Sequence, residues 1–88
     1  MPRYLIEREI PGAGRLTADE LHAITEKSNQ VLAGMAGRAQ WVHSYVTEDA
    51  ITCVYLAENP EAVREHADCG GFPVTTIREV GTVIDPAT

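Results

Sequence analysis

Two stretches with helical spacing, each set between β-rich runs, fix the order in which this chain can lay down its elements. In the first, Thr17 stands three residues before Glu20, a capping-box spacing, and Leu21, Ile24, Val31, Leu32 and Met35 follow at helical intervals toward Gly34 and Gly37. This spacing predicts a helix over residues 18–36. In the second, Asn59-Pro60-Glu61 offers an N-cap residue, a proline at the first helical position and an acid in the first turn. That helix is short, residues 60–69, and stops at Gly70-Gly71. The β-rich runs are residues 3–10, ending at Pro11-Gly12-Ala13-Gly14, a hairpin of residues 40–47 and 51–57 around Glu48-Asp49-Ala50, and residues 76–84, closed by Asp85-Pro86.

The order is therefore β, α, β, β, α, β, the split βαβ arrangement of a ferredoxin-like α+β sandwich. Two helices cover one face of a four-stranded antiparallel sheet whose expected strand order is 4-1-3-2. One domain spans residues 1–88, and a domain of this size buries only about 60–65% of the surface its unfolded chain exposes. Further burial by self-association is favourable. The second sheet face has no helix to cover it, so its residues indicate what lies there.

With a three-residue hairpin loop at 48–50, Val42 pairs with Leu56 and Ser44 with Val54, which gathers the aliphatic side chains toward the helices. The uncovered face then carries Trp41, His43, Tyr45, Cys53 and Tyr55, joined by Leu5, Glu7 and Glu79 from the outer strands. A two-residue turn would scramble this grouping. Three large aromatics on an uncovered face point to a second copy packing there, as in a dimeric α+β barrel-like assembly.

Composition removes several classes of function. The net charge is −6, with seven basic residues scattered along the chain, so no basic patch offers a footprint for nucleic acid or an anionic membrane. No apolar run reaches the roughly 18–20 residues of a membrane span, and Met1-Pro2-Arg3-Tyr4 runs straight into a strand pattern, so the expected location is the cytoplasm. Cys53 and Cys69 are expected to be free thiols there.

His43, Cys53, Glu7 and Glu79 place imidazole, thiol and carboxylate ligand types on one sheet surface, where a divalent metal could use them. The strand order separates strands 1 and 2 by two spacings, about 9–10 Å, so a metal touching both His43 and Glu7 needs extended side chains or a ligand from a partner. The competing reading is a polar dimer seam. On helix 2, His66 and Cys69 share one face at i, i+3, where they could chelate a borderline metal, but two ligands are too few for specificity and the commoner meaning is a buried cysteine beside a half-exposed histidine. His22 and Glu26 read as a solvated i, i+4 pair.

Thiol catalysis is disfavoured, because no electropositive setting or oxyanion loop accompanies the cysteines. A His43/Glu7 acid–base pair in a cavity between two sheets, serving a small-molecule enzyme or binding protein, is the alternative. Arg8 projects toward the helices and is expected to meet a carboxylate, Asp85 or a helix-2 glutamate. Gly70-Gly71-Phe72-Pro73 reads as a helix stop rather than a phosphate loop.

The opening Pro2-Arg3-Tyr4-Leu5-Ile6-Glu7-Arg8, the hairpin Trp41-Val42-His43-Ser44-Tyr45-Val46 with Cys53-Val54-Tyr55, the run Val63-Arg64-Glu65-His66-Ala67, then Gly71-Phe72-Pro73 and Val83-Ile84-Asp85-Pro86 resemble a family of small actinobacterial nickel-binding proteins. That family was first catalogued as a domain of unknown function. The resemblance spans nearly the whole chain and implies a ferredoxin-like homodimer that binds nickel in a sequestering role; it implies no organic cofactor, and a non-enzymatic metal binder is the first reading. The positions it carries over as metal-ligand candidates are Glu7, His43, Cys53, His66 and Glu79.

Overall fold

The computed structural model describes residues 1–88. Its elements are β1 (Arg3–Glu9), a 3-10 turn (Ala13–Arg15), α1 (Ala18–Ala33), β2 (Ala39–Val46), β3 (Ala50–Ala57), α2 (Pro60–Gly70) and β4 (Thr76–Glu79). The four strands form one antiparallel sheet in the order β2-β3-β1-β4, which is the expected ferredoxin-like topology. β4 stops five residues short of the expected end. After Val80 N–H donates to the Arg3 carbonyl, the chain leaves the sheet edge.

Both helix starts follow the local chemistry. Thr17 Oγ1 accepts from the Glu20 amide at 3.1 Å while the Glu20 carboxylate accepts from the Thr17 amide at 2.9 Å, completing the capping box. Asn59 Oδ1 accepts from the Ala62 amide, with Pro60 at the first turn. α2 ends at Gly71 in the left-handed conformation, φ 69°. The preceding Gly70 answers a close approach, since a Cβ there would lie 2.2 Å from the Phe72 ring. Its bare Cα lets Phe72 fold back over the helix end.

Alternation along β1 is regular, with Tyr4, Ile6 and Arg8 buried beneath the helices and Leu5, Glu7 and Glu9 exposed on the opposite face. Opposed residues in a sheet share a face, so the register assigns the other strands. Cys53 and Tyr55 pair with Ile6 and Tyr4 and lie beneath the helices, whereas Thr52, Val54 and Leu56 share the open face with β1's odd-numbered residues.

This reverses the expected faces of β3, for two local reasons. The hairpin turn is the two-residue Glu48-Asp49, with Thr47 N–H donating to the Ala50 carbonyl, so Ser44 pairs with Cys53 rather than Val54. A register shift at Val42 then places Trp41 opposite Tyr55, also beneath the helices. His43, Tyr45 and Ser44 keep their expected faces. Glu79 pairs with Tyr4 and belongs to the helix-covered side as well, contrary to expectation.

The core is built from Tyr4, Ile6, Ile51, Cys53, Tyr55 and Ala57 of the sheet with Ala62 and Val63 of α2 and Met35 beyond α1. α2 buries five residues, but α1 buries only Ser28 fully. The longer helix therefore leaves space between itself and the β2–β3 half of the sheet.

Candidate functional site

The five metal-ligand candidates fall into two groups separated by the sheet. Glu7 and His43 stand on the open face, while Cys53, His66 and Glu79 belong to the helix-covered side. No three His, Cys, Asp or Glu side chains converge anywhere in the chain. Of the four expected on one sheet surface, Glu7 and His43 stand there, whereas the two-residue turn sends Cys53 inward and the β1–β4 register sets Glu79 beside Tyr4.

On the open face His43 Nε2 lies 3.0 Å from the Tyr45 hydroxyl, and their rings meet edge to face at a centroid distance of 5.0 Å. The pair borders a shallow hollow of about 330 Å³ with Leu5, Val54 and, from the C-terminal segment, Val80 and Val83. β3 runs between β1 and β2, a separation of two strand spacings, about 9–10 Å, and the register adds an offset along the strands, since Glu7 is level with Tyr45 and His43 with Leu5. That separation disfavours a direct His43/Glu7 proton pair within one chain. It also leaves a single chain short of the three or four donors a transition metal takes.

His66 and Cys69 invert the expected pattern: His66 is fully buried and Cys69 is exposed. The His66 ring packs between Tyr55, at 5.1 Å, and Phe72, at 5.3 Å, and its Nε2 is 3.0 Å from Ser28 Oγ. Burial, reinforced by the charge of Arg8, pulls its pKa down to about 4, so the imidazole is neutral at pH 7. The same charge opposes a cation at the unpartnered Nδ1. His66 is thus a poor metal ligand here. Cys53 is buried in the same layer, and Glu79 Oε1 accepts a 3.4 Å hydrogen bond from the Tyr4 hydroxyl. His22 and Glu26 form the expected exposed pair at 3.1 Å.

Arg8 points beneath the helices as expected but meets no carboxylate. Its Nη1 donates to the Pro73 carbonyl at 2.7 Å, its guanidinium carbon lies 5.4 Å from the Phe72 ring centroid, and Nη2 has no partner. Asp85 is in the exposed C-terminal segment, and α2's Glu65 is taken by Arg38. Residues 70–73 thus do more than stop α2, since Phe72 and Pro73 hold the guanidinium. Nothing in their spacing announced this, because the contact depends on Phe72 folding back across Gly70.

Arg8 also lines a cleft of about 320 Å³ between α1 and the sheet, bounded by Leu21, Ile24, Trp41, Ile51 and Phe72 among others. The sequence reading missed this space because Trp41 and Tyr55 were placed on the other face.

No helix is long and apolar enough to cross a membrane. The fold is shared with the crystal structure of SCO4226 from Streptomyces coelicolor A3(2), with a TM-score of 0.79 at 18% sequence identity over 93% of this chain and 99% of that one. No curated protein matches the chain. Residues 4–80 match the family model for the nickel responsive protein SCO4226-like, and the chain belongs to that family.

Proposed function

We propose that this protein binds nickel, or a chemically similar divalent transition metal, as a homodimer whose copies meet through their open sheet faces, and that it serves to sequester the metal. Membership of a nickel-responsive family supports the metal. The observation that carries the site is the setting of His43. Of the three histidines, His66 is buried and His22 is engaged with Glu26 on a helix surface, which leaves His43 as the imidazole on the uncovered sheet face.

A single chain does not supply enough donors, and a second copy answers that shortage. A twofold axis through the open face presents every ligand twice, so His43 and Glu7 of one chain become two imidazoles and two carboxylates in the pair. The hydroxyl of Tyr45, already within hydrogen-bond reach of His43, would orient the ring as outer partners of metal-bound histidines do.

Calorimetric titration of metal-free protein with nickel tests the reading. Saturable binding at micromolar concentration or tighter is expected, weakened at least about tenfold by His43→Ala and left unchanged by His66→Gln. Binding that survives His43→Ala intact removes the assigned site.

A further inference from the structure

We propose that the cleft between α1 and the sheet is a binding site for a small amphipathic carboxylate, its anionic head drawn to Arg8 and its apolar body lying along α1. This site is on the opposite side of the sheet from His43 and does not depend on the metal reading.

The first support is the charge. Arg8 is only 4% exposed, carries a permanent positive charge and has no carboxylate beside it. A buried guanidinium ordinarily has a counter-ion, because an uncompensated charge removed from water is strongly unfavourable. Here the chain provides only neutral groups, the Pro73 carbonyl, the face of Phe72 and the nearby Tyr55 phenol, and Nη2 has no hydrogen-bond partner. The planar fork of a guanidinium matches a carboxylate's two oxygens. The neighbouring polar groups are neutral: the His66 imidazole at pH 7, the Ser28 hydroxyl, and the Tyr55 phenol, whose ionisation burial pushes up.

The second support is the space. The cleft, about 320 Å³, is at the lower end of the range for small-molecule sites, and most of its lining is apolar. Leu21, Ile24 and Thr25 of α1 form one wall and Trp41, Val46 and Ile51 the other, with Val46 42% exposed at its margin. Arg8 and Phe72 belong to the same lining. An apolar slot with one unpaired cation in its wall selects for an acid with a hydrocarbon body and against both a free inorganic anion and a neutral apolar molecule. Nη2 lies beneath the solvent-accessible surface, so the head group settles in as the side chains above it give way.

Trp41 is the only tryptophan in the chain and lines the cleft, so its fluorescence reports occupancy. Titrating the full chain with octanoate is expected to give a saturable change in Trp41 emission. Its neutral counterpart octanamide should bind at least about tenfold more weakly, the loss expected when a charge-assisted pair becomes a neutral one. Arg8→Gln, which retains a donor for the Pro73 carbonyl, should abolish the preference between the two. Because Arg8 is buried, a second variant guards against misfolding: Thr25→Phe fills the cleft from the half-buried wall of α1 and should remove the response to octanoate. Equal affinities for octanoate and octanamide in the wild-type protein, a response that survives Thr25→Phe, or no saturable response at all would each overturn the proposal.

Discussion

Burial takes His66 out of water on every side while the charge of Arg8 lies nearby, and together they hold its imidazole to a pKa of about 4, against about 6.5 for an exposed histidine. The consequence is a stability that depends on pH. Between pH 6.5 and 4 the unfolded chain binds the extra proton and the folded chain does not, so stability falls as the pH is lowered through that window. The full effect is on the order of 3 kcal/mol, present above pH 6.5 and lost by about pH 4. Glu20 and Glu65 add their own acid sensitivity, since Thr17 and Arg38 hold their carboxyls below the usual range. Comparing the wild type with His66→Gln cancels those carboxylates. Urea denaturation midpoints measured from pH 7 to pH 4 should fall more steeply for the wild type, and parallel profiles would mean that His66 is not the group responsible.

At the scale of elements, most of the fold was legible because its signals are local. The capping box at Thr17 and Glu20, the Asn59-Pro60 start and the Gly71 stop each act within a few residues, and the structure reproduces all three. The faces of the hairpin were not legible, because they depend on the turn length and on one extra residue in β2. Glu48-Asp49 closes the turn with two residues instead of three, which sends Cys53 and Tyr55 inward, and the irregularity at Val42 then turns Trp41 inward with them. The candidate metal set was divided by the same two details. If Val42 is the residue that the ladder skips, its removal should be tolerated. Deleting it keeps Trp41 opposite Tyr55 and His43 opposite Val54 in a regular ladder, and should cost no more than about 1–2 kcal/mol. Deleting Ser44 instead draws His43 opposite Cys53, beneath the helices, and should be clearly worse. Chemical denaturation of the two deletion variants distinguishes the cases, and equal losses would show that the irregularity does not set the faces.

The whole molecule has one sheet face without helices, and the apolar groups there are unusually accessible. Leu5 is 40% exposed, Tyr45 58%, and the C-terminal segment that borders the same face leaves Val83 64% and Ile84 77% exposed. A second copy on this face would bury those groups and double the donors around His43, so assembly and metal binding should be thermodynamically linked. Each copy carries a net charge of −6, and a cation bound between two such chains offsets part of their repulsion. Leu5→Glu tests the linkage while leaving His43, Glu7 and Tyr45 in place. Its side chain lies opposite Val54 on the open face, and an isologous contact would receive the new carboxylate twice. Sedimentation velocity should find the wild type dimeric, and more firmly so with nickel, while Leu5→Glu is a folded monomer. That monomer should bind nickel at least about tenfold more weakly than the wild type if the metal's ligands come from both copies. A Leu5→Glu monomer that binds nickel as tightly as the wild type would place the metal within one chain. A wild type that is monomeric with nickel bound would remove the open face as the dimer contact.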